Sequence, residues 1–180
     1  MNYRQLFAVI VAAPSLAFAG STDFTFSTPC DSRDEVATVS FVGDVLVHKM
    51  LYESVVSGSK KFSQIWKRVN PLITKADFSV ANLEGPAALG IDSSGKDHGD
   101  IGFVYDDRVY SGTNFSFNYH PQIFQDLKNS GYDLLTMANN HALDRGSIGI
   151  DKSVLSARDA GMPVVGIRNS NERNAEYYQI

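Results

Sequence analysis

The chain has 180 residues, 43% of them hydrophobic and 20% charged, and a net charge of −4. That composition fits an ordinary globular domain and lacks both the basic excess of a nucleic-acid binder and the charge density of a disordered chain, so no nucleic-acid partner is expected. Cys30 is the single cysteine, which excludes an internal disulfide, and no Leu-Ala-Gly lipobox precedes it.

The first residues have a charged start at Arg4, an apolar run over residues 6–13, and small residues at Ala17 and Ala19 around Phe18. This is the pattern of a secretory signal peptide over residues 1–19, cut after Ala19, and it predicts an exported protein. The apolar run is short for a membrane span, which needs roughly 20 residues, and no later segment comes closer. An uncleaved signal acting as an anchor is the runner-up, disfavoured because Pro14 interrupts the run. Residues 20–35, rich in Ser, Thr, Asp and Pro, read as a flexible leader.

The domain is expected over residues 36–168, followed by a polar tail over 169–180. Residues 36–42 alternate and are rich in β-branched side chains, a strand that ends in Gly43-Asp44. A pairing of His48 with Asp44 requires a helix that the sequence does not guarantee, and an exposed His48 is the preferred reading. Phe62, Ile65, Trp66, Val69, Leu72 and Ile73 recur at helical spacing with Ser63 as a cap, so an amphipathic helix is predicted, kinked or restarted near Asn70 by Pro71. Residues 76–81 form a second strand ending in Asn82-Leu83-Glu84, stopped by Gly85-Pro86.

Residues 89–116 have no clear period and are long enough for a functional loop or an insertion. His98 is expected on its solvated surface. Asn114-Phe115-Ser116 matches a glycosylation sequon, relevant only in a eukaryotic secretory pathway. A short helix over residues 121–130 leads into Leu134-Leu135-Thr136-Met137-Ala138, an apolar strand that breaks into Asn139-Asn140-His141 and reaches Asp144. A helix over 147–160, with Ile150, Val154 and Leu155 on one face, and a strand over 163–167 complete the order. Strands alternating with helices predict an α/β fold: a mostly parallel sheet with helices on both faces.

In a parallel sheet the carboxyl ends of the strands share one edge, so Asp44, Glu84, Asn140 and His141 are expected to converge. Asn140 offers a carbonyl oxygen to a hard cation, His141 can bind metal or move a proton, and Asp144 can orient the imidazole through Nδ1. Taken alone, Asn139-Asn140 reads equally well as a turn. Three polar strand ends together favour a site for one or two divalent cations.

These residues carry a resemblance to the capsule synthesis protein CapA family, which includes the PgsA component of poly-γ-glutamate synthesis. The matching blocks are Phe41-Val42-Gly43-Asp44, then Ala81-Asn82-Leu83-Glu84-Gly85-Pro86, then Ala138-Asn139-Asn140-His141-Ala142-Leu143-Asp144 with Gly146 and Gly149. The family resembles calcineurin-like metallophosphoesterases, so the likeness implies part of a metallophosphoesterase-like α/β sandwich. It implies Asp44, Glu84 and Asn140 as metal ligands, His141 as general acid and Asp144 as the residue steadying it. Asn82 and Asn139 would contact substrate. The implied cofactor is a divalent metal ion (Mn, Mg, Zn or Fe), or none bound in a chain this short. The implied partners are an anionic surface polymer or its biosynthetic membrane complex.

The sequence departs from the pattern where Leu46 replaces the histidine of an aspartate-x-histidine pair, and where it ends at Ile180 before a later histidine motif. Either this is a fragment or shortened gene product, or another chain supplies the missing C-terminal half; a half-sandwich is expected to leave apolar sheet surface exposed. Three functions follow from the resemblance: a component of anionic-polymer synthesis or export in the cell envelope, a metal-dependent phosphoesterase-like hydrolase, or a fragment without activity.

Overall fold

A computed structural model describes residues 36–113 and 115–172, all within the compact unit Val36–Ile180. The expected signal peptide, the leader with Cys30, Asn114 of the sequon and the end of the polar tail lie outside the described residues.

Four parallel strands form the central sheet in the order β1 (Val39–Val45), β2 (Phe78–Leu83), β5 (Leu134–Thr136) and β6 (Val164–Val165). The connections carry α1 (Lys49–Ser57), α2 (Asn70–Ile73), the short antiparallel pair β3 (Gly112–Thr113) and β4 (Ser116–Phe117), α3 (Gln122–Asn129) and α4 (Gly146–Asp159). This is the α/β architecture that the alternation of strand and helix signals predicts.

Several boundaries differ from the sequence expectation. Strand β1 runs through Gly43 and Asp44 to Val45, and its register to β2 shifts between Val42 and Asp44. Gly43 is the extra residue of that bulge, and Asp44 is thereby set opposite Asn82. A helix forms at Lys49–Ser57, where none was assigned.

The amphipathic helix expected from Phe62 to Ile73 is instead a 3-10 turn at Phe62–Gln64 and a single turn at Asn70–Ile73. Tertiary anchors override its periodicity: the Phe62 N–H donates to the Asp126 carboxylate and the Trp66 indole N–H to the Ser130 hydroxyl. Pro71 begins the second piece, as its missing donor favours. Ser63 does not cap; the N-cap position is Lys61, without a side-chain bond. On α4 the buried face is Gly149, Ser153, Val154 and Ala157, while Leu155 is exposed.

The core gathers Val45, Val47, Leu83, Leu135 and Met137 from the strand ends with Ile123, Phe124 and Leu127 of α3. Tyr52 lies edge-on to Phe62 and to Phe103, and Phe103 stacks on His120. The segment expected as a loop or insertion is packed down. Buried Asn118 donates to the carbonyls of Ala88, Ile91 and Val109 and accepts from the Ala88 N–H.

Among the described residues, strand β1 pairs only with β2. Its register puts Val39 and Phe41 on the sheet face of Phe78 and Val80, and they are 51% and 80% exposed. Apolar sheet surface is thus open along this edge.

Candidate functional site

Because all four strands are parallel, their carboxyl ends deliver side chains to one edge. Asp44 arrives near the end of β1, Asn82 in β2, Glu84 just beyond it, and Asn139 to Asp144 after β5.

The Nδ2 amide of Asn82 donates to Asp44 Oδ1 at 2.8 Å and to Glu84 Oε2 at 2.6 Å, so two carboxylates from different strands share one nitrogen. Its Oδ1 accepts from the Thr136 hydroxyl at 3.2 Å and from Asn139 Nδ2 at 3.1 Å. Asn139 Nδ2 also donates to the Leu83 carbonyl, and its Oδ1 accepts the backbone N–H groups of Gly85 and His141. Both amides expected to touch substrate therefore have nitrogen and oxygen engaged within the protein, tying β1, β2 and β5 together at their exits.

His141 Nδ1 lies 2.8 Å from Asp144 Oδ2, and the same oxygen accepts the Phe117 backbone N–H at 2.7 Å. The imidazole meets the Phe117 ring edge-on at a centroid separation of 4.7 Å. With Nδ1 held by the carboxylate, Nε2 is the nitrogen left to exchange a proton with a ligand. Asn140 is exposed. His48 does not turn toward Asp44; its Nδ1 meets the Gly112 carbonyl at 3.1 Å and its ring packs against Phe117.

Glu84 is only 9% exposed. The turn after it needs Gly85, whose φ is +96° and where a Cβ would stand 2.8 Å from that of Phe117. Tyr119 braces the same turn: its hydroxyl donates to the Glu84 carbonyl at 2.8 Å and accepts the Val47 N–H at 3.3 Å. Burial pushes the Tyr119 phenol up, so it stays a neutral donor.

Sequence reasoning passed over Arg145, although it directly follows Asp144. It is 2% exposed and donates to the carbonyls of Ile91, Val109 and Asp144 and to the Ser116 hydroxyl. Burial lowers its pKa and the nearby Asp144 opposes that shift. No local pattern announces such a residue, because its partners come from a loop some 30 to 50 positions away in sequence.

Among the described residues no group of three His, Cys, Asp or Glu side chains is placed to hold a metal ion. The Asn82 amide directs its protons at the carboxylate oxygens that a cation would need. The donors present do not fit a resident metal.

The model of the bacterial capsule synthesis protein family PGA_cap matches residues 38–180, which include every residue of this strand-end cluster. The chain belongs to that family. The chain is 26% identical over 133 residues to the PGA biosynthesis protein CapA of Bacillus subtilis, covering 74% of this chain and 30% of the relative. It is 23% identical over 136 residues to the capsule biosynthesis protein CapA of Bacillus anthracis, covering 74% and 29%. An uncharacterized Sinorhizobium fredii protein, y4sH, is 29% identical over 157 residues, covering 84% and 29%. The chain spans less than a third of the length of the curated relatives it matches.

Proposed function

We propose that this chain is an exported protein of capsule biosynthesis that takes part in making or exporting an anionic surface polymer of the poly-γ-glutamate class. What carries this reading is family membership over residues 38–180, a span that holds the whole strand-end cluster. Relatives named for capsule and PGA biosynthesis give the polymer class. Export rests on Arg4, the apolar run over 6–13 and Ala17-Phe18-Ala19. Among the described residues no helix is long and apolar enough to cross a membrane.

The polymer, or one unit of it, would be received at the edge where Asp44, Glu84, Asn140 and His141 lie. His141 moves a proton through Nε2, Asp144 positions it, and Asn82 and Asn139 hold the strand exits in place. A hydrolase-like activity is the second reading, favoured by the 2.8 Å bond between His141 and Asp144, the pairing that orients an acid–base histidine. Divalent-metal use, implied by the likeness to metallophosphoesterases, has Asp44, Glu84 and Asn140 to draw on. With Asn82 donating to both carboxylates, any such cation binds weakly.

Complementation in the native host tests this. Deleting the gene should lower the amount of capsular polymer, the wild-type gene should restore it, and His141→Ala and Glu84→Gln should not, at equal protein level. Full restoration by both variants would overturn the role of the strand-end site.

A further inference from the structure

Between Glu53 and Asp77 the chain contains no acidic residue but five basic ones, Lys60, Lys61, Lys67, Arg68 and Lys75. In a protein of net charge −4 this is a marked local reversal. All five are exposed. The ion pairs among the described residues use Lys49, His98, Arg108, His141, Lys152 and Arg158, and none of the five. A cleft of about 340 Å³ opens within this segment, lined by Ser59, Lys61, Ser63, Gln64, Lys67 and Asn70, without a carboxylate.

The cleft thus carries two ammonium groups with no carboxylate beside them, which select an anion.

We propose that this basic cleft is a docking site for a polycarboxylate chain of the poly-γ-glutamate class. The ammonium groups of Lys61 and Lys67 pair with its carboxylates. The identity of the ligand rests on the capsule-polymer reading above; the site itself does not use the strand-end residues. An anionic membrane surface fits less well, because such a surface takes basic and apolar side chains on one face. Here Ile65 and Val69 line a cleft with Val42 and Trp66, and Val69 and Leu72 another with Ser40 and Val42, both against β1, whereas Lys61 and Lys67 line the polar cleft.

Fluorescence anisotropy of labelled poly-γ-glutamate with the full chain tests the site. Phosphatidylglycerol vesicles serve as the competitor. Poly-γ-glutamate should bind and weaken with added salt, and Lys61→Gln/Lys67→Gln should lower its affinity about tenfold at low salt, as expected when two cations leave a polyanion site. Lys61→Arg/Lys67→Arg should retain binding. Lys96→Gln, at an exposed lysine outside the cleft, should change binding less than about twofold. Binding that ignores the Lys-to-Gln exchange, or vesicles that bind through these lysines while poly-γ-glutamate does not, would overturn the proposal. Full capsule restoration by His141→Ala and Glu84→Gln, beside loss of polymer binding in Lys61→Gln/Lys67→Gln, would sink the strand-end reading and leave this one standing.

Discussion

Asp144 Oδ2 lies 2.8 Å from His141 Nδ1 and 2.7 Å from the backbone nitrogen of Phe117, so one carboxylate oxygen holds both the imidazole and the strand that packs against it. Replacing Asp144 with Ala should destabilise the fold by about 2 kcal/mol, the scale of losing hydrogen bonds to a charged acceptor. Urea unfolding checks this. Asp144→Asn, which keeps one acceptor oxygen, should cost less, and an equal loss in the two variants would show that the oxygen is not what matters.

Asn82 bridges Asp44 and Glu84 by donating to both. Asn82→Asp removes the donor and adds a third carboxylate, the kind of oxygen-rich cluster that divalent cations bind. The variant should melt lower than wild type and regain at least about 2 °C with millimolar Mn²⁺, since a ligand that binds only the native state raises its stability. The wild type should respond weakly. Calorimetric titration showing two tightly bound ions on the wild-type chain would contradict this account.

Arg145 spreads its guanidinium over three carbonyls and a hydroxyl from residues 91, 109, 116 and 144. Arg145→Met fills the space but leaves those acceptors unpaired, which should cost about 3 kcal/mol. Hydrogen exchange should quicken first in residues 86–118, the segment that Arg145 pins. Uniform quickening across the sheet would instead indicate global loosening.

Stability should fall in two acid windows. Burial lowers the pKa of His120, whose Nδ1 accepts the Gln122 N–H, so the native state takes up a proton later than the unfolded chain. The unfolded state then binds more protons from about pH 6.5 downward, and stability drops from there through the folded pKa. His120→Phe should flatten this window in denaturation curves taken from pH 7 to 5. Below about pH 4 a second loss should follow, in both proteins, as protons reach carboxylates held low by hydrogen bonds. These are Asp92, held chiefly by the Ser94 hydroxyl, Asp77 by the Thr38 backbone, Asp97 by Lys152 and Asp106 by the Arg108 N–H. A profile unchanged by His120→Phe above pH 5 would remove the histidine from the account.

The sequence alone determined the α/β class, the positions of β2, β5, α3 and α4 to within a few residues, and the strand-end residues Asp44, Glu84, Asn140 and His141. These are local signals: β-branched alternation, Gly stops and polar residues breaking an apolar run are written in consecutive positions. Only the tertiary structure decided that Asn82 and Asn139 bind the protein itself, that Arg145 is buried, and that the period from Phe62 to Ile73 does not become one helix. Each of those depends on partners far away in the chain: Asp44 for Asn82, Ile91 for Arg145, Asp126 and Ser130 for Phe62 and Trp66. A hydrogen bond to such a partner outweighs the few tenths of a kcal/mol, about that per residue, by which local propensity chooses between helix and turn.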